Sequence, residues 1–334
     1  MLPYKVKSSR LENTMKGLTD IAGILVGHAS DYKALTGCTA ILCQDGAVGG
    51  VDIRGAASGT EEFDLMSPLN VTERLHGVVL AGGSAFGLEA ASGVRRFLER
   101  KGVGVATVAG RVPLVPCAIL YDLGIGEKHV RPTREMGEAA ASAASAKQVL
   151  EGAVGAGTGA TVGKLFGIER GMKSGIGSWT VELASGVLVS SLAAVNAFGD
   201  VVDPGTGKIV AGARLSRDSR EFVNSASEMK RGVQGRFFKD NAIPNTTLVV
   251  VATNAKLNKV GATKLAQLAS LGVARSVTPV WTTFDGDVVI ALSSGDKQAD
   301  INSLGVAAAE CVAQSILRAV QLAPSLGGLP GLHS

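Results

Sequence analysis

The sequence predicts an α/β protein built as a four-layer α/β/β/α sandwich, and three observations lead there. Short strand-like runs alternate with stretches of helical periodicity along the chain. Strands outnumber helices. Several strands are apolar through their length, as strands covered on both faces are. A helix–sheet–sheet–helix stack satisfies all three, since each sheet then packs helices outside and its partner sheet inside.

Taken in order, residues 21–26 and 38–43 read as strands, and 77–81 as another that runs into Gly82-Gly83. Residues 88–100 carry apolar side chains at helical spacing, and 103–108 return to a strand pattern. An Ala-rich helix is expected over 134–150, with Pro132-Thr133 as its start signal. Residues 177–183 and 186–196 form a hairpin pattern around Ala184-Ser185. Residues 248–253 are a buried strand, 258–271 a helix, 276–282 and 287–293 strands, and 301–322 a long final helix stopped before Pro324. No repeat or long linker divides the chain, so residues 1–334 are expected to form one domain. The polar stretch 214–240 is where the chain loosens.

Composition narrows the function. With 46% apolar and 19% charged residues the chain is globular, and with 44 glycines but 4% aromatics its core rests on small aliphatic side chains and close backbone approach. The net charge of +4 is mild. The basic residues of 214–239 are mixed with Asp218, Glu221 and Glu228 and are not interleaved with aromatics, so no nucleic-acid partner is expected. Cys38, Cys43, Cys117 and Cys311 lie in apolar surroundings without a CxxC pair, which reads as buried thiols in a reducing compartment. No apolar h-region follows Met1, and no 18-residue apolar run occurs, so a cytoplasmic protein without a membrane partner is expected.

The sharpest motif is Asn245-Thr246-Thr247, between a charged stretch and the strand 248–253. Cutting the Asn245–Thr246 bond would give Thr246 a free α-amine, joining nucleophile and base in one residue. Read alone, the same triplet is also a glycosylation sequon, or ordinary turn and strand chemistry. Histidine is scarce, with His28, His76, His129 and His333 in no metal spacing, so no metal or other cofactor is expected. An α-amine with a pKa near roughly 7.7–8.0 needs no imidazole to act as base.

Other motifs supply partners or fail. Residues 155–164 mimic a P-loop, but Thr158 and Leu165 stand where a Gly and a Ser or Thr are required. The segment reads instead as backbone packed close to a site with Lys164 projecting there, or else Lys164 is an ordinary surface lysine. Ser84 lacks the second Gly of a nucleophile elbow and reads as a helix cap. Thr283 and Asp285 would share a direction by strand alternation, or simply flank an Asp-Gly turn. Asn196 ends a strand and offers an amide to an oxyanion, or precedes a turn.

Together the segments Leu80-Ala81-Gly82-Gly83-Ser84-Ala85-Phe86-Gly87-Leu88, Gly155-Ala156-Gly157-Thr158-Gly159-Ala160, Ala194-Val195-Asn196-Ala197, Asn245-Thr246-Thr247-Leu248 and Asp285-Gly286-Asp287 resemble the DmpA-like L-aminopeptidase/D-esterase family. That family includes β-peptidyl aminopeptidases and nylon-oligomer (6-aminohexanoate) endohydrolases, and the resemblance runs from about Leu18 to Ala323. It implies the α/β/β/α fold of N-terminal-nucleophile hydrolases, and autoproteolysis into chains 1–245 and 246–334 with Thr246 as nucleophile. It further implies Lys164, Asn196, Thr283 and Asp285 at the site and Tyr121 as a substrate-side or oxyanion contact. It implies a small peptide or aminoacyl amide as substrate, no metal, and tetramers or larger homo-oligomers of the processed chains. Trp281 stands where relatives often carry His, and the position of Thr283 is often Ser or Asp. An ornithine acetyltransferase-like acyl transferase shares the architecture and is the alternative enzyme; an uncleaved scaffold is the non-enzymatic one.

Overall fold

The structure, a computed structural model, describes residues 15–233 and 245–333. Its main elements in chain order are β1 (Ile24–Asp31), β2 (Thr36–Ile53), β3 (Leu75–Ala81), α1 (Ala90–Arg100), β4 (Cys117–Ile119), α2 (Arg134–Ser142), β5 (Ile176–Glu182), β6 (Leu188–Asn196), β7 (Thr246–Ala255), α3 (Lys259–Ser276), β8 (Val288–Lys297) and α4 (Ile301–Gln321).

Two sheets share one strand. The first half of β2 pairs antiparallel with β1 and β3, and β3 runs parallel to β4. The second half of β2 pairs with β8, which continues the order β8, β7, β6, β5. Only β7 and β8 are parallel in this second sheet, and α3 makes the crossover between them.

The alternation of β7 shows why residues 248–252 are all apolar. Leu248, Val250 and Ala252 enter a central core between the sheets with Ile41, Leu80, Leu192 and Ile290. Val249 and Val251 face the opposite way, into a core with Leu265, Ala269, Val312 and Ile316 of α3 and α4. A third core joins Cys38, Ala40 and Val79 to Ala90, Val94 and Ala140 of α1 and α2. Four layers result, as the sequence predicts, held by these three main cores. Each fully buried Leu or Val contributes about 1.5–3 kcal/mol relative to exposure.

The many glycines let helices sit directly on strand backbone. A Cβ on Gly50 would lie 2.2 Å from the backbone of α3, and one on Gly177 would lie 2.0 Å from the Ser315 carbonyl oxygen of α4. The helices start on side-chain caps: Thr133 accepts from Met136 N–H, Asn258 from Gly261 N–H and Asp300 from Ser303 N–H. The final helix, Ile301–Gln321, is long and apolar enough to span a membrane by composition, but here its apolar face is part of the core.

Several elements differ from expectation. The Ala-rich helix stops at Ser142, because the Ser145 backbone pairs with Val26 of β1 at 3.1 Å in both directions. The strand expected over 103–108 is an exposed hairpin of Val105–Thr107 and Gly110–Val112, outside both sheets. Helix α3 runs on to Ser276, which leaves only Val277–Thr278 as strand. Ser84 does not cap a helix; it opens a 3-10 turn with φ 54° and no side-chain cap bond. The polar stretch from residue 214 is anchored where it is described: the buried Arg214 guanidinium donates to the carbonyls of Glu169, Gly171 and Arg217. Residues 234–244 lie outside the described residues.

Candidate active site

The antiparallel pairing of β6 with β7 places the last residue of one opposite the first of the other, so Asn196 and Thr246 are register partners. The parallel ladder of β7 and β8 extends past the strand ends: Asn245 N–H donates to Phe284 O at 2.8 Å and Gly286 N–H donates to Asn245 O at 2.6 Å. The Thr246 hydroxyl lies 2.5 Å from that same Asn245 oxygen. Thr246, Asn245, Asn196, Lys164 and Asp285 are each 2% exposed or less, so this cluster is closed to bulk water.

Lys164 reaches the cluster because Gly163 and Lys164 pair with the backbone just beyond β6, donating to Gly199 O and Phe198 O. Its Nζ donates to Asn196 O at 2.9 Å and Asn196 Oδ1 at 2.8 Å. Burial pushes the Lys164 ammonium down to about 7, against the opposing pull of Asp285, Asp122 and Asp287. A neutral amine has two N–H donors, enough for both bonds, and keeps its lone pair free.

Asn196 is held at both ends of its amide. Its Oδ1 also accepts from Thr161 N–H at 3.0 Å, and its Nδ2 donates to the Tyr121 carbonyl at 2.8 Å. The Thr161 backbone and Lys164 Nζ donors on Oδ1 fix the amide orientation. Tyr121 thus touches this cluster through its main chain, its carbonyl accepting from Asn196.

The segment after Pro279 corrects one expectation. Residues 281–285 form a turn, so strand alternation does not apply to them. Thr283 is exposed, while Thr282 faces Asp285: its N–H and hydroxyl donate to Asp285 Oδ2 at 2.9 and 2.7 Å. Asp285 Oδ1 accepts a long bond of 3.4 Å from Phe198 N–H. Burial raises the Asp285 carboxyl, and the Thr282 bonds work against that.

Three participants were not singled out from sequence. Asp287 is buried and accepts from Thr247 N–H at 2.5 Å; burial and then the Asp285 charge push it well above the usual carboxylate range. Its alternation with Asp285 along the chain was the available signal. Gly286 contributes only its amide, which no side-chain pattern reveals. Gly55 lets a neighbouring loop lie on this segment: Gly55 N–H donates to Asp287 O, Ala57 N–H donates to Asp285 O, and a Cβ at Gly55 would lie 2.2 Å from Asp287 N. Among the described residues no three of His, Cys, Asp and Glu converge as metal ligands would.

A buried hydroxyl thus heads a central strand of an α/β/β/α stack, with Asn196 opposite it in the ladder and Lys164 bonded to Asn196. Solved structures agree on the fold: the L-aminopeptidase D-Ala-esterase/amidase of Ochrobactrum anthropi, itself described as a variant of the Ntn hydrolase fold, superposes with TM-score 0.70 at 19% identity over 94% of this chain and 88% of that one. A Burkholderia sp. β-aminopeptidase gives TM-score 0.66 at 24% identity over 95% and 90%. The chain belongs to peptidase family S58, whose model matches residues 16–333, and is thereby a peptide-bond hydrolase. Among curated relatives, an uncharacterised aminopeptidase of Mycobacterium leprae is 38% identical over 95% of this chain and 93% of its own length. A 6-aminohexanoate-oligomer endohydrolase of Kocuria sp. is 27% identical over 90% and 85%.

Proposed function

We propose that this chain cuts its own Asn245–Thr246 bond and then acts as an aminopeptidase, releasing the N-terminal aminoacyl group of small peptides or amides through Thr246. The observation that carries this reading is the Asn245 carbonyl oxygen, which accepts the Gly286 N–H at 2.6 Å with the Thr246 hydroxyl 2.5 Å away. The scissile carbonyl oxygen accepts from both the Gly286 amide and the Thr246 hydroxyl, which polarises it.

In the first stage Lys164 Nζ takes the Thr246 Oγ proton as Oγ adds to the Asn245 carbonyl carbon. The Gly286 amide stabilises the resulting oxyanion. The C–N bond breaks, its nitrogen takes the proton back from Lys164, and Asn245 is left as an ester on Thr246 Oγ. Water hydrolyses that ester to the Asn245 carboxylate, a free Thr246 hydroxyl and a free α-amine.

In the second stage the α-amine takes the Oγ proton while Oγ adds to a substrate carbonyl. The leaving amine takes that proton, and water releases the acyl group from Oγ. Asn196 fixes Lys164 and faces Thr246 across the ladder. Asp285, locked by Thr282, supplies a carboxylate for an amine, either that of Thr246 or that of the substrate. The names of the relatives support the aminopeptidase reading and leave L-α-aminoacyl, β-aminoacyl and aminohexanoate amides as substrates to compare. The four buried, unpaired thiols support a reducing compartment such as the cytoplasm.

The test is direct. Purified protein should run on a denaturing gel as two chains, 1–245 and 246–334, and Thr246→Ala as one. A wild-type enzyme that is active on aminoacyl p-nitroanilides as a single full-length band overturns the reading.

A further inference from the structure

A second buried lysine lies behind the cluster. Lys173 is fully buried, and its Nζ donates to three carbonyls: Gly157 O at 3.1 Å, Ala160 O at 2.8 Å and Ser174 O at 2.5 Å. Burial pushes Lys173 down to about 7, as it does Lys164, but three acceptors call for three protons, which the ammonium form supplies. Lys164, with two acceptors, has no such requirement.

The Ala160 bond has a particular consequence. Ala160 C=O and Thr161 N–H are the two ends of one peptide unit, and Thr161 N–H donates to Asn196 Oδ1. An ammonium on the oxygen end fixes that plane and strengthens the N–H at the other end. The opposite end of the Asn196 amide is tied in a parallel way. Its Nδ2 donates to Tyr121 O, and the next residue, Asp122, is anchored by Gly83 N–H and the Thr36 hydroxyl, both at 2.7 Å. Asp122 is itself buried.

We propose that Lys173 and Asp122 are a pair of positioning residues that hold Asn196 from behind, Lys173 through the Ala160–Thr161 peptide and Asp122 through the Tyr121–Asp122 peptide. The inference rests on the self-cleavage reading, because Asn196 matters there by holding Lys164 opposite Thr246. Neither residue touches the reacting atoms. Charge adds a second link: the charged groups acting on Lys164 are Asp285, Asp122, Asp287 and Lys173, with the three carboxylates raising its pKa and Lys173 lowering it.

The two residues therefore have opposite signatures. In pulse-labelled cell-free synthesis of the full chain, Lys173→Met should slow conversion to two chains by on the order of 10–100-fold. It should also move the pH midpoint of conversion upward. Asp122→Asn, nearly isosteric, should slow conversion as well but move the midpoint downward, each shift being on the order of one pH unit. A part that merely stabilised the fold would lower the melting temperature without moving the midpoint in opposite directions. Folded variants that convert at the wild-type rate with an unchanged midpoint overturn the proposal. If Lys173→Met does not fold, the downward shift in Asp122→Asn decides alone, and its absence is the overturning result. A wild-type chain that stays single sinks the self-cleavage reading instead, and the positioning role with it.

Discussion

The Gly286 amide donates to the Asn245 carbonyl oxygen at 2.6 Å, as one rung of the parallel ladder that joins β7 to β8. The bond that binds two central strands is also the one that polarises the proposed cleavage point. A Cβ on Gly286 would lie 2.6 Å from Ala57 O and 2.9 Å from the Thr246 hydroxyl. Gly286→Ala should therefore displace the amide and slow self-cleavage by about 10²–10³-fold, as removing an oxyanion donor does. The intact fraction on denaturing gels over a time course measures it. Cleavage at the wild-type rate would mean that this amide does not stabilise the oxyanion.

Self-cleavage should depend on pH through Lys164. Its folded pKa of about 7 means that the charged form, which cannot accept a proton, dominates below that value. The rate should be low near pH 5, rise through about 7 and level off above. Lys164→Met should stay single-chained. Precursor isolated at low pH and jumped to a series of higher values gives the profile; a rate that falls as pH rises would refute Lys164 as the base.

Thr282 and Thr283 should behave differently although they are adjacent. Thr282→Val removes the hydroxyl 2.7 Å from Asp285 Oδ2 and so favours the protonated carboxyl. We expect kcat on an aminoacyl p-nitroanilide to fall by about 10-fold, in the range of general positioning effects. Thr283→Val changes an exposed side chain and should leave kcat within about twofold. The reverse ranking would return Thr283 to the site.

The native thiols should be inert. All four cysteines are buried and free, and burial pushes Cys38 and Cys43 up to about 12, with Cys117 and Cys311 also raised. The thiolate is the reactive form. Ellman's reagent should therefore titrate none of them in folded protein at pH 8 and all four in guanidinium. Rapid labelling of any one in the native state would contradict this burial.

The layers were legible because doubly covered strands carry unbroken apolar runs such as residues 248–252, while α4 keeps a helical period that β strands cannot imitate. Element ends were harder to read. Ser145 leaves its helix to satisfy Val26, a partner more than a hundred positions away in sequence, and no local preference encodes that. The site divided along the same line. Lys164, Asn196, Asp285 and Thr246 lie in recognisable segments, and the fold gathers these four in one buried cluster. Gly286 acts through its backbone, and Lys173 through the far end of a peptide unit, so neither has a side-chain pattern of its own toward Thr246. The shared direction expected of Thr283 and Asp285 came from applying a period of two to a turn.

A cut before Thr246 would divide one sheet between two products. Strands β7 and β8 would both belong to the shorter product, yet β6 flanks them on one side and the second half of β2 on the other. The two products would be interleaved like fingers of clasped hands, with ladders along both margins and shared cores above and below. Release would require tearing open the middle of the sheet, so the pieces should travel as one particle until denatured. The same interleaving sets the order of events: neither piece contains a complete site, so the chain must finish folding before it can be severed.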